Sequence, residues 1–391
     1  MAADRVYMDH SATTPVREEV RDAMAPFFAR DFGNASSLHE EGRRARSAVE
    51  EARETIALCI GAEPAEVYFT SGGTESDNLA IKGAVWALRD AASHVVTSTV
   101  EHHAVLRTCQ YLEENGVPVS YVPVGGEGLV SVEAVQEHLR PDTGLVSVMA
   151  ANNEVGTIQP TEEIGAMLRE RGILFHVDAV QALGKVPLDV RRWHADLVSL
   201  SGHKIHAPKG VGILFVRAGT EMEKLCHGGH HERGLRAGTE NVASAVGMAR
   251  AVELAVAEQT DFAAKVSVLR DRLEHEILRL VPDVQRNGAP SQRLPNLTNL
   301  SVRYVEGEAL VLSLDREGVA VATGSACTSG SSDPSHVLLA MGVEPALAQG
   351  SVRFSLGRGT TAADVDYVLS AFQAVVRRLR SVSPLTPQDL R

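Results

Sequence analysis

Between residues 66 and 216 short apolar runs alternate with amphipathic stretches, and this alternation constrains the fold more than any other feature. "EVYFT", "HVVTS", "PVSYVPV", "GLVSVMA", "ILFHV", "DLVSL" and "GILFV" read as strands. Helical stretches such as "AVLRTCQYLEE", "SVEAVQEHL" and "EEIGAMLRER" lie between several of them. Strands that alternate with helices predict a largely parallel sheet covered on both faces. A helix is expected from about Glu41 to Ala62, where Ala45, Val49, Ala52, Ile56 and Ile60 recur at helical spacing. From about Asn241 towards Leu280 a long helical pattern predicts two helices or a bridge between domains. "VQRNGAPSQRLPN" reads as a surface loop. The tail then changes style. Strand "LTNLSVRY", helix "GEALVLSLDRE", strands "VAVAT" and "SVRFSL" and a helix from "TAADVDYVL" form a smaller α+β unit. The expected fold is therefore α/β, with a mostly parallel central sheet and a smaller α+β domain.

In sheets of this kind ligands bind where strand C-termini open into loops. The residues after the strands are "SGGTESDN", "TVEHHAV", "ANNEVG", "DAVQ" and "SGHKIHAPKG", all polar and able to line one pocket. A formal net charge of −12 argues against a nucleic-acid or anionic-membrane surface. No apolar run reaches the length of a transmembrane helix. The start "MAADRVYMDHSATTP" carries Asp4 and Asp9 and no apolar leader core, so the expected location is cytoplasmic. Four cysteines are spread without CxxC spacing, and no disulfide framework is expected. Cys59 and Cys109 lie in apolar helical contexts and read as buried thiols. Cys327 lies instead among small polar residues, in "ATGSACTSGSSDPSH". "CHGGHHERG" has histidines, but its spacing fits no zinc pattern, so no metal is expected.

The chain has only six lysines, and Lys204 ends a strand in "LSGHK". A lysine there can form a Schiff base if burial or nearby cations lower its pKa. Asp178 in "FHVDAVQ" also ends an apolar strand, and Gln181 follows by three. Pyridoxal phosphate requires a lysine for its aldehyde and usually a carboxylate for its pyridinium nitrogen. Gln181 could then bond the ring's phenolic oxygen. An aspartate after a strand can also simply cap the next helix. "SGGTES", with Gly73 and Thr74, offers backbone N–H groups and a hydroxyl for a phosphate at a helix N-terminus, or is a plain strand-to-helix turn. Ser201 and His203 add donors beside Lys204. His102, after another strand, could stack over a pyridine ring and move protons.

These motifs, taken in order, resemble the pyridoxal-phosphate-dependent cysteine desulfurases of the NifS/IscS class, in the class V aminotransferase family. The resemblance covers nearly the whole chain. It is carried by "YMDHSATTP", "FGNASSLH", "TSGGTESDN", "TVEHHAV", "NNEVG", "HVDAVQ", "SGHKIHAPKG", "ERGLRAGTENV", "GSACTSGSSDPSHVLLAMG" and "VRFSLGR". It implies an aminotransferase-like fold type I homodimer. A large cofactor domain would span 15–260. A small domain would combine 1–14 with 261–391 and carry the cysteine loop at about 322–336. It implies pyridoxal 5'-phosphate held covalently on Lys204, with Asp178 at the pyridine nitrogen, Gln181 at the ring oxygen and His102 stacked on the ring. Asn153 would lie near ring and substrate. Gly73, Thr74, Ser201 and His203 would hold the phosphate, with Thr239 from the neighbouring subunit. Arg353 would bind the substrate carboxylate. Cys327 would take the sulfur of L-cysteine as a persulfide, leaving alanine. A sulfur-acceptor protein, either an iron–sulfur scaffold or a tRNA-thiolation protein, would receive it, with no direct nucleic-acid or membrane partner. The alternatives within the family are a selenocysteine lyase or another class V enzyme; outside it, a silent scaffold.

Overall fold

A short loop with no α-helix dictates the one departure from a purely parallel sheet. The computed structural model of the chain describes residues 5–88, 93–323 and 333–388. The first strand, β1 (Val6–Tyr7), lies apart from the large sheet. The apolar runs follow as β2 (Val67–Thr70), β3 (His94–Ser98), β4 (Val119–Val122), β5 (Thr143–Ser147), β6 (Leu174–Asp178), β7 (Leu197–Ser201) and β8 (Gly212–Val216). Among the described residues they form one sheet in the order β2-β8-β7-β6-β5-β3-β4. From β7 to β4 every pairing is parallel, whereas β8 runs antiparallel to both β2 and β7. Only a tight connection separates β7 from β8. A parallel return needs a crossover of a dozen or more residues, so the chain comes back antiparallel.

Strands β3, β5, β7 and β8 are buried along their whole length. That follows from helices on both faces. The helix Gly73–Leu88 packs on β7 and β8, and His103–Glu114 packs beside it. The long helix Glu40–Ile60 turns Ala45, Val49, Ala52, Ile56 and Ile60 inward, as their spacing predicts, and stops at Gly61 in the left-handed conformation (φ 75°). The long pattern after Asn241 resolves into two helices, Val242–Ala257 and Gln259–Leu280. They meet at Glu258, whose carboxylate pairs with Arg17 at 2.8 Å and Arg358 at 3.1 Å.

The last third of the chain holds β9 (Val284–Asn287), β10 (Leu297–Val302), β11 (Val319–Ala320) and β12 (Ser351–Ser355). Strands β12, β10 and β9 pair antiparallel, and β1 pairs parallel with β11. Here one expectation is corrected: "VQRN" belongs to β9, not to a loop. It is an edge strand without an apolar run: only Val284 packs on the core, and a polar ladder holds its other end. Asn287 Nδ2 donates to Asn299 Oδ1 (2.7 Å) and Ser301 Oγ (2.8 Å). Val6 and Met8 share a core with Leu300, Phe354 and Phe372, while Phe175, Val198, Phe215 and Met248 belong to the core of the large sheet. We propose that these two cores mark the large domain, 15–260, and the small one, 1–14 with 261–391. Among the described residues no helix is long and apolar enough to cross a membrane.

Candidate active site

The C-terminal ends of β6 and β7 lie side by side, and that register brings Asp178 and Lys204 together. Asp178 is the last residue of β6 and is buried. Lys204 follows β7 within a single 3-10 turn, Gly202–Lys204. Asp178 Oδ1 accepts from the Val180 N–H at 3.0 Å. Burial raises its pKa to about 6, and the charge of Lys204 pulls against that rise. Lys204 Nζ donates to the carbonyls of Ser11 (2.7 Å) and Ala12 (2.8 Å). Gln181 Nε2 donates to the same Ser11 carbonyl at 3.0 Å. The segment "HSATTP" therefore roofs the lysine turn. Its Thr13 hydroxyl meets His203 Nδ1 at 3.2 Å, and Thr14 bonds the His203 carbonyl through both its N–H and its hydroxyl, each at 2.9 Å.

The "SGGTES" turn joins this cluster through a close approach. A Cβ at Gly73 would stand 2.8 Å from Val180 Cγ2 and 3.5 Å from Ser201 Cβ. Glycine thus lets the N-terminus of the helix Gly73–Leu88 sit against both the Asp178 turn and Ser201. Thr74 is exposed on its first turn, and the neighbouring Glu75 pairs with Arg236 at 2.8 Å. That pair ties the segment carrying Thr239 to the same helix start; Thr239 itself is exposed. His102 caps the helix His103–Glu114, its Nδ1 accepting from the Ala104 N–H at 3.1 Å. Burial, then the charge of Lys204, lowers its pKa to about 4, so the ring is neutral near pH 7. A neutral ring that accepts at Nδ1 carries its proton on Nε2.

Arg353 arrives from β12 and is buried. Its guanidinium donates to the Asn153 carbonyl at 2.9 Å and to Asp9 Oδ1 at 2.8 Å. Its buried Nε has no partner among the described residues. Cys327 lies outside the described residues, but both flanks of its segment reach this site. Ala322 exchanges backbone hydrogen bonds with Arg353, at 2.7 and 3.3 Å. On the other flank, Ser335 donates from its hydroxyl to buried Glu154, and His336 Nε2 meets the Glu101 carbonyl at 3.0 Å.

A family model described as aminotransferase class-V matches residues 6–368. The chain belongs to the class-V aminotransferase family. Within that family it is 51% identical over 386 residues to a cysteine desulfurase IscS of Methanosarcina thermophila, covering 99% of this chain and 95% of that one. A cysteine desulfurase IscS of Dictyoglomus turgidum is 50% identical over 379 residues, covering 97% and 96%. Among solved structures, a NifS-like protein superposes with a TM-score of 0.90 at 40% identity, covering 95% of this chain and 99% of that one. SspA in complex with cysteine gives 0.81 at 38% identity, covering 90% and 98%. These likenesses bear out the reading of the chain as a cysteine desulfurase with a fold type I architecture. Pyridoxal phosphate is the cofactor that class-V aminotransferases imply.

The donor set of this class-V aminotransferase fits that cofactor. A buried carboxylate that receives a backbone N–H suits a ring nitrogen that carries a proton. An amine, an amide and a helix N-terminus converge around it. Four further groups were missed in the sequence. Lys185 is buried against Gln181. Asp77 and Glu101 lie fully buried behind Asp178. Burial and the charge of Asp178 raise the Asp77 pKa, and burial lifts Glu101 to about 8. His176, between Ser147 (2.8 Å) and Ser199 (2.9 Å), is held neutral by burial, at about 3. The spacing of Lys185, four residues beyond Gln181, was the one signal available for any of them. Cys109 is buried as expected, and burial pushes its thiol up to about 12, whereas Cys59 is half-buried and Cys226 exposed.

Proposed function

We propose that the chain holds pyridoxal phosphate covalently at Lys204 and transfers the sulfur of L-cysteine to Cys327. The observation that carries this reading is the convergence of Lys204, Asp178, Gln181 and His102 beyond the C-terminal ends of β7, β6 and β3, with the Arg353 guanidinium facing the same place. When bound, the cofactor supplies an aldehyde for the substrate amine and a ring that accepts the electron pair left by the α-proton. Asp178 holds a proton at the ring nitrogen, and Gln181 donates to the ring oxygen. Gly73 and Thr74 at the helix start, Ser201, His203 and Thr239 of the partner subunit receive the phosphate. Asn153 lines the substrate side and orients Arg353 through its carbonyl. Arg353 takes the substrate carboxylate with its planar guanidinium fork.

Once the substrate amine has taken the place of Lys204, the freed Lys204 amine would take the α-proton. Cys327, as thiolate, attacks the substrate sulfur: the S–S bond forms, the C–S bond breaks, and the electron pair stays on the substrate carbon. Cysteine and the Cys327 thiol give alanine and the Cys327 persulfide. His102 stacks on the ring with its proton on Nε2. It would give that proton to the substrate, on the carbon side of the breaking C–S bond, and take the thiol proton at the same nitrogen in exchange. A sulfur-acceptor protein, an iron–sulfur scaffold or a tRNA-thiolation protein, then takes the persulfide sulfur. The active unit is a cytoplasmic homodimer, since Thr239 serves the neighbouring site.

Mass spectrometry of Cys327 after incubation with cysteine tests this directly. The wild type is expected to gain one sulfur atom on Cys327 and to lose it when an acceptor is added. Lys204→Ala is expected to form neither persulfide nor alanine. Alanine formation by Lys204→Ala, or undiminished sulfur release by Cys327→Ala, would overturn the mechanism. Release of selenide from selenocysteine without sulfide from cysteine would support the selenocysteine lyase instead.

A further inference from the structure

Lys185 is only 6% exposed, an unusual place for an amino group. Its Nζ donates to the side-chain Oε1 of Gln181 at 2.8 Å and to the Gln181 carbonyl at 3.1 Å. The other end of the same amide, Nε2, donates to the Ser11 carbonyl at 3.0 Å, which Lys204 Nζ also reaches at 2.7 Å. The amide is thereby held in one orientation. Flipping it would set its oxygen against the Ser11 carbonyl and its NH2 against the Lys185 amino group. The NH2 carries two N–H groups, and Ser11 takes one of them.

We propose that Lys185 is a positioning residue of the cofactor site, acting through Gln181: it occupies the oxygen end of the amide so that the NH2 end faces Lys204 and the cofactor's ring oxygen. This rests on the reading of Lys204 and Gln181 given above. Without Lys185 the amide can rotate and present its oxygen to another oxygen, a contact with no hydrogen bond. The charges of Lys204 and Arg353 act on Lys185, and the charge of Lys185 in turn bears on the neighbouring His10, His203 and His206. Burial, then the charges of Lys204 and Arg353, lowers its pKa to about 7. Charged, the amine can only donate; neutral, it still donates to the amide oxygen, and the Ser11 carbonyl, which can only accept, keeps the NH2 end where it is.

Titration of pyridoxal phosphate into apoprotein, followed by protein fluorescence, tests the inference without relying on turnover. Lys185→Met is expected to weaken cofactor binding about 10-fold, the loss of one buried hydrogen bond. In a Gln181→Met background the same substitution is expected to change binding by no more than about 2-fold, because the residue it acts through is gone. Equal losses in both backgrounds, or no loss in either, would overturn the proposal. Lys185→Gln keeps a neutral N–H donor and is expected to bind within about 3-fold of wild type. A loss as large as that of Lys185→Met, or beyond 3-fold if the methionine variant does not fold, would also overturn it. Lys204→Ala separates the two levels of argument. If it keeps the yellow absorbance of the bound cofactor, the reading of the site itself fails. If it loses that absorbance while the Lys185 variants behave as wild type, only the positioning role fails.

Discussion

Glu154 shows how much a single buried carboxyl can carry. It sits between Asn153, whose carbonyl orients Arg353, and the turn fixed by Asn152 Oδ1, which accepts from the N–H groups of Glu154 (2.8 Å) and Val155 (2.9 Å). Its own carboxylate receives the Ser335 hydroxyl, beyond the far flank of the Cys327 segment. Burial lifts its pKa from the ordinary carboxylate range to about 7. The folded chain therefore holds more proton than the unfolded one between those two values. This carboxyl's contribution to stability is complete below that window and falls as pH rises through it. Glu154→Gln keeps an acceptor for Ser335 but cannot ionise. Thermal melts are expected to coincide with wild type at about pH 5 and to lie above it at about pH 8. The same difference at both pH values would show that the carboxyl does not titrate in this window. Lys204, Asp178 and Gln181 were legible in the sequence because each ends, or closely follows, an apolar run. Glu154 and Lys185 were not, because burial by distant segments makes their chemistry, and no local pattern records burial.

At the scale of the element, propensity and packing sometimes disagree, and the helix Thr161–Arg169 is a case where packing decides. Gly165 sits inside it, where alanine is favoured by roughly 1 kcal/mol on intrinsic helix propensity. A Cβ at Gly165 would stand 1.9 Å from the Trp193 carbonyl oxygen. That atom is backbone and cannot rotate aside. Gly165→Ala is therefore expected to destabilise the fold by about 1–3 kcal/mol, the range for overpacked interiors. Chemical denaturation measures this, and a stabilised variant would mean that the helix and the Trp193 loop separate readily. Apolar runs and helical spacing located the seven strands of the large sheet and most helices. The same reasoning missed β9, because an edge strand held by Asn287, Asn299 and Ser301 has no apolar signature. It also left the direction of β8 open, which the length of one loop settles.

At the scale of the whole molecule, Phe28, Phe32 and Leu38 are 68%, 69% and 83% exposed within one short stretch of chain. Large apolar side chains grouped this way mark an interface more often than a free surface. Sedimentation is expected to give about twice the 41.8 kDa chain mass. Phe28→Asp with Phe32→Asp is expected to shift the protein towards monomer and lower its activity, since in the proposed reading each site borrows Thr239 of the partner subunit. A fully active monomer would refute the shared site. The sequence by itself determined the alternating α/β architecture and the strand-end residues proposed to carry the chemistry, because both are written in short-range patterns of apolar and polar residues. The ordered motifs also determined the family. Only the tertiary structure decided that "HSATTP" roofs Lys204, that Arg353 meets Asp9 and Asn153, and that Lys185 and Glu154 are buried against the site. These contacts join residues far apart in the chain, and their energies come from burial and charge that exist only once the two cores have closed around them.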